Sequence, residues 1–138
     1  MTEAVRKLLG RTSVVAGTIA VVLSPIPLAD EIVLVPVFGV MASRIGKTHG
    51  IAFKDLPWKP IATTTLAALA ARATMNLAVS YIPGVAAVAN AVSAVTLTQI
   101  LGNYVDGACA DPSAARPLGV RELATQLKDA LSRRPRTA

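Results

Sequence analysis

A chain of 138 residues, 53% of them hydrophobic and only 16% charged, has a mean hydropathy of +0.54 and enough apolar material for one domain with a true core. Its net charge of +6 lies in three patches: Arg6, Lys7 and Arg11; Arg44, Lys47, Lys54 and Lys59; and Arg116, Arg121, Lys128, Arg133, Arg134 and Arg136. Such patches either attract phosphate-bearing surfaces or simply solubilise the ends of an apolar core; with 4% aromatics and no stacking set or reading motif, nucleic acid is disfavoured.

In chain order, residues 2–10 predict a short amphipathic helix capped by Thr2, with Gly10 ending or bending it. Residues 12–24 are almost wholly apolar, and Pro25-Ile26-Pro27 must break a helix. The basic start and the apolar run 13–23 lack a small-residue cleavage pattern, so no cleaved leader is expected. A second helix is predicted from Pro27, placing Asp30 and Glu31 near its positive end. Pro36 and Gly39 should kink it, and Gly46 is the expected stop. Residues 47–60 read as a polar connector. In it, Trp58 suits either an interfacial anchor or a plug over the end of a helical core.

Residues 61–80 predict a strong helix with Thr65, Arg72, Asn76 and Ser80 on one narrow polar stripe. Ile82-Pro83-Gly84 breaks it. Residues 85–105 follow as a fourth helix ending near Gly102 to Gly107, with a winding polar line of Asn90, Ser93, Thr96 and Gln99. Residues 111–117 read as a linker. Residues 118–132 then give an amphipathic helix. Val120, Leu123, Ala124, Leu127 and Leu131 share one face, opposite Arg121, Glu122 and Lys128. A basic tail closes the chain.

The first two helices and the next two repeat one plan. Ser24-Pro25-Ile26-Pro27 recurs as Ser80-Tyr81-Ile82-Pro83, and Gly46 stands as far beyond Pro27 as Gly102 does beyond Pro83. The fold class expected is therefore all-α. Two repeated helical hairpins occupy 1–110, with turn residues Pro25, Pro27, Pro83 and Gly84 and glycine stops Gly46 and Gly102. A linker at 111–117 leads to an amphipathic element at 118–138.

The stretches Ile26-Pro27-Leu28-Ala29-Asp30 to Ile45-Gly46-Lys47-Thr48-His49-Gly50, and Tyr81-Ile82-Pro83-Gly84 to Thr98-Gln99-Ile100-Leu101-Gly102, carry a family resemblance. Over roughly residues 13–107 the chain resembles the hydrophobic helical domain of unknown function found in YcjF-like proteins and behind Era-like GTPase domains. A weaker likeness is to EcsC-type domains. His49 stands where that pattern has an aromatic residue, and Ala86 or Ala87 where it has a second glycine. No Gly-x-x-x-x-Gly-Lys-Ser/Thr phosphate loop is present. The resemblance implies membrane association and a GTPase or similar regulatory partner, and it implies no catalytic residues.

The candidate sites follow from the charges left inside apolar runs. Asp30 and Glu31 diverge by about 100° on a helix, so they do not face one cleft as an acid–base pair. Arg72, the only charge within its helix, needs an acceptor if buried. Either Asp30 or Glu31 supplies it, or Arg72 faces solvent along the Thr65–Ser80 stripe. One cysteine, Cys109, and one histidine, His49, allow no disulfide and no zinc pair, and leave little material for catalysis. Cys109 reads as a small buried thiol and His49 as a loop residue. No cofactor or metal is expected.

The arms 12–24 and 31–45 reach roughly 20 Å each, short of a bilayer core of about 30 Å. The arms of the second hairpin are long enough, but Arg72 sits within one of them. Two arrangements stay open: hairpins that dip into or cross a membrane with the basic segments on its cytoplasmic side, or a bundle that docks through basic patches. The expected function is a non-enzymatic, membrane-associated module serving a GTPase-type or other partner. The alternative is a self-assembling, pore-forming protein, for which a homo-oligomer is expected. Arg116, Arg121, Lys128, Arg133, Arg134 and Arg136 are the candidate contacts to anionic lipid, unless the last helix merely folds back on its own core.

Overall fold

A computed structural model describes residues 1–23, 29–79 and 85–133. All of its regular structure there is helical: α1 (Glu3–Leu23), α2 (Ala29–Thr48), α3 (Trp58–Val79), α4 (Val85–Ala110) and α5 (Val120–Ser132). Short 3-10 turns at Phe53–Asp55 and Pro112–Ala114 lie in the two connectors. The all-α class expected from the sequence is what the chain adopts. The expected breaks at Pro25, Pro27, Pro83 and Gly84 lie outside the described residues, as do Arg134 and Arg136.

Thr2 caps α1 as its sequence suggests, its Oγ1 accepting the Val5 amide at 3.3 Å. Gly10 does not divide the helix. Val5, Leu9, Ala16 and Ala20 form one continuous buried stripe across it. That shared face outweighs the roughly 1 kcal/mol that a helical glycine costs.

The two expected glycine stops are also corrected. α2 runs past Gly46 to Thr48, and α4 runs past Gly102 to Ala110. Both glycines are instead close-approach positions. A Cβ at Gly46 would overlap Leu56, and one at Gly102 would overlap Leu9. The stop of α2 lies at Gly50, whose φ of 71° is left-handed. The Ile51 amide donates to the Gly46 carbonyl at 2.9 Å, and the Gly50 amide to Lys47 at 3.1 Å. This is the paired closure that a glycine after a helix end permits. Helix α3 starts three residues early, at Trp58, because Pro60 falls in the first turn, where a missing N–H leaves no bond unmade. Helix α5 starts at Val120 rather than 118, with Gly119 as its extended N-cap.

Packing assembles these helices around α4, which contacts the other four. The first helix of one hairpin lies against the last of the other. Gln99 Nε2 donates to Ser13 Oγ at 2.7 Å, Leu9 covers Gly102, and a Cβ on Gly17 would sit 3.1 Å from Val95. These pairs descend along one helix as they climb the other, so α1 and α4 are antiparallel. Small residues make this close approach possible; Ala16, Ala20 and Ala94 are fully buried. Phe38, Leu34, Met41 and Ile45 of α2, Leu69 of α3, and Leu97, Leu101 and Val105 of α4 fill the centre. Leu123 and Leu127 of α5, both fully buried, cover α3 and α4. The amphipathic helix is therefore folded back on its own core. Trp58 is half-buried against the core, and its Nε1 donates to the Phe53 carbonyl at 2.6 Å.

Candidate functional site

Burial of a guanidinium is the first unusual feature of this bundle. Arg72 is wholly enclosed, so it does not face solvent along the Thr65–Ser80 stripe. Its Nη1 donates to Glu31 Oε1 at 2.8 Å, its Nη2 to the Asn90 carbonyl at 2.9 Å, and its Nε to Ser93 Oγ at 3.1 Å. Ser93 Oγ in turn donates to the Asn90 carbonyl at 3.1 Å. Three helices thus meet on one side chain. Helical spacing places Asn90 and Ser93 on one face of α4, and Glu31 sits in the first turn of α2. The Asp30 side chain, the other expected acceptor, lies outside the description. A buried charge is tolerated only with such partners, since desolvation costs several kcal/mol per ion.

The polar line of α4 is consumed internally. The Ser93 hydroxyl and the main-chain carbonyl of Asn90 serve Arg72, Gln99 serves Ser13, and the Thr96 hydroxyl donates to the Val92 carbonyl at 2.8 Å. The sequence displays this line but not its direction.

The second feature is the outer surface. Within residues 12–43 and 60–105 the only charged residues are Asp30, Glu31 and Arg72. The same stretches carry a broad apolar exterior. Val14, Val21 and Val22 of α1 are exposed, as are Ile32 (74%), Val35 and Val40 of α2 and Val88 (65%) and Val92 of α4. Within these stretches the described exposed side chains are uncharged, whereas helices of a bundle in water carry charge along their outer sides. On α1 and α2 the basic residues lie towards the Glu3 end of α1 and the Thr48 end of α2, at Arg6, Lys7, Arg11, Arg44 and Lys47. There His49 Nε2 lies 2.8 Å from Asp106 Oδ1 and ties the end of α2 to α4. The loop histidine of the sequence reading is thus a tether.

Of the expected lipid-binding cations, Arg121, Lys128 and Arg133 are exposed on or just after α5. Arg116 is engaged with Glu122 through two bonds of 3.2 and 3.1 Å. That contact holds the Glu122 carboxyl below its ordinary range. The Tyr104 hydroxyl donates to the Arg116 carbonyl at 2.8 Å, and the Leu118 amide to Thr64 Oγ1 at 2.9 Å, which seats the linker.

Cys109 is buried, and that burial, followed by the nearby Asp106 carboxylate, pushes its thiol up, away from a reactive thiolate. Among the described residues no three His, Cys, Asp or Glu side chains converge to hold a metal ion. Nor, among them, is any helix long and apolar enough to cross a membrane.

The geometry of α1 and α2 adds a groove that the sequence reading missed. It is lined by Leu8, Arg11, Thr12 and Val15 on one side and by Pro36, Val37, Val40, Met41 and Arg44 on the other, with a volume of about 340 Å³. The signal was present as two arginines bounding charge-free runs, but their convergence depends on how the hairpin packs. No family model, curated protein or solved structure matches this chain.

Proposed function

We propose that this protein is a non-enzymatic, membrane-associated helical module whose charge-poor end inserts into one leaflet while its basic end stays at the headgroups. The observation that carries this reading is the exposed apolar surface shared by the charge-free parts of α1, α2 and α4. Residues 12–23 of α1 measure about 18 Å. That is close to the ~15 Å of one leaflet and well short of the full core. Insertion without crossing is thus the depth that the lengths suit. Enclosing Arg72 with Glu31 inside the bundle shields two of the three charges of that end from hydrocarbon.

Exposed Arg121, Lys128 and Arg133 would add attraction to anionic headgroups on the cytoplasmic face, weakening as salt rises. The accessory role beside a GTPase-type or other regulatory partner, implied by the family resemblance, is part of the same proposal. Insertion of a single bundle is preferred over a pore, because the Ser93 and Gln99 side chains are engaged inside the bundle and do not offer a lumen.

Vesicle flotation with carbonate washing tests the insertion. Wild-type protein should float with vesicles and stay through the wash. The double variant Ile32→Glu/Val88→Glu, which places charge on exposed positions, should be released without loss of helicity. Complete release of the wild type into the aqueous fraction would overturn the proposal.

A further inference from the structure

We infer that the groove between α1 and α2 is a binding site for one anionic phospholipid, its phosphate held between Arg11 and Arg44 and one acyl chain laid along Val15, Val37 and Val40. This rests on the membrane-association reading and names a ligand for it.

Both arginines line the groove, and among the described residues neither has a carboxylate partner. Two guanidinium groups on one rim repel each other unless an anion lies between them. Phosphate is the anion whose geometry the guanidinium fork matches. The Thr12 hydroxyl is spent on the Leu8 carbonyl at 2.9 Å, so the two arginines are the donors that the rim offers.

Beyond them the lining is apolar on both walls, and it runs from the cationic rim into the charge-free part of the hairpin. A free phosphate would leave that part uncovered, and a zwitterionic lipid would bring a third cation, its own ammonium, up to the two arginines. A ligand with one anionic head and an apolar tail satisfies both. At about 340 Å³ the groove lies near the low end of the range for small-molecule sites, which suits one chain. The site also lies at the level the insertion reading requires. Arg11 and Arg44 are the last charges on α1 and α2 before their charge-free runs begin, which is where a headgroup phosphate would meet the bundle.

The test titrates the full chain with dihexanoyl-phosphatidylglycerol, dihexanoyl-phosphatidylcholine and glycerol 3-phosphate, all below micelle formation, following amide shifts by NMR. Flotation on phosphatidylcholine vesicles with and without phosphatidylglycerol is run beside it. The expected result is saturable 1:1 binding of the phosphatidylglycerol, with shifts confined to α1 and α2. Binding of the other two ligands should be about tenfold weaker or more, the order expected of an ammonium brought up to two guanidinium groups or of one lost apolar chain. Arg11→Gln/Arg44→Gln should lose the preference for phosphatidylglycerol yet still float on phosphatidylcholine vesicles. Lys54→Gln/Lys59→Gln, with the same loss of charge outside the groove, should keep that preference.

Equal losses in the two double variants would overturn the site and leave membrane association standing on diffuse charge. Equal affinity for glycerol 3-phosphate would make it a phosphate site and overturn the lipid. Failure of the wild type to float on any vesicle would remove the membrane reading itself.

Discussion

Substituting Glu31→Ala removes the carboxylate 2.8 Å from Arg72 Nη1 and leaves a fully enclosed guanidinium facing Ser93 Oγ and the Asn90 carbonyl. Neither of these two acceptors carries a formal charge. Breaking a buried pair from one side typically costs about 3–5 kcal/mol, because the surviving charge stays desolvated. Whole domains are stable by only about 5–15 kcal/mol. The single variant should therefore lose a large share of its stability. At a few degrees per kcal/mol for a domain of this size, the thermal midpoint should fall by roughly 10–20 °C.

The double variant Glu31→Ala/Arg72→Met removes both charges and keeps an unbranched side chain in the space. Replacing a buried pair by apolar residues is often neutral or better. The double should then be clearly more stable than Glu31→Ala alone, with a coupling of about 2 kcal/mol or more. Urea unfolding in mild detergent, followed by far-UV circular dichroism, reads all four members of the cycle. If Glu31→Ala stays within about 1 kcal/mol of wild type, or the double is no better than the single, Arg72 is not held in place by Glu31.

Two further outcomes are expected. Gly10→Ala should raise stability by about 0.5–1 kcal/mol, since Gly10 is helical with open space around it. Gly102→Ala should lower it by about 1–3 kcal/mol, since the new methyl must displace Leu9 from a filled core; matched urea midpoints of opposite sign check the pair, and equal shifts would undo the packing argument. The Glu122 carboxyl, depressed first by its hydrogen bond to Arg116, should titrate below the ordinary carboxylate range by NMR. Because its folded pKa is lowered, its contribution is present above the unfolded value and disappears as pH falls through the folded one. Arg116→Gln should return the midpoint towards the ordinary range.

Local rules suffice for much of this chain. Apolar runs too long and too irregular for strands declare helices, Thr2 declares a cap, and the face shared by Leu123 and Leu127 declares a helix that something must cover. A lone arginine in an apolar helix requires a partner if it is buried, so Glu31 and Asp30 stood out before any packing was known, beside the alternative that Arg72 faced solvent; burial decided between them. What only the tertiary structure decided is direction and proximity. Gly46 and Gly102 read as stops from their neighbours alone. Within the bundle they are the places where Leu56 and Leu9 press against a helix. Local sequence does not distinguish a glycine that frees φ from one that yields space. The polar line of α4 could have faced water, a lumen or a core, and antiparallel packing turned it towards Arg72 and Ser13. Arg11 and Arg44 lie on different helices, 33 positions apart in sequence. Their meeting at one groove depends on the packing of α1 against α2, a long-range property that no local pattern of either helix contains.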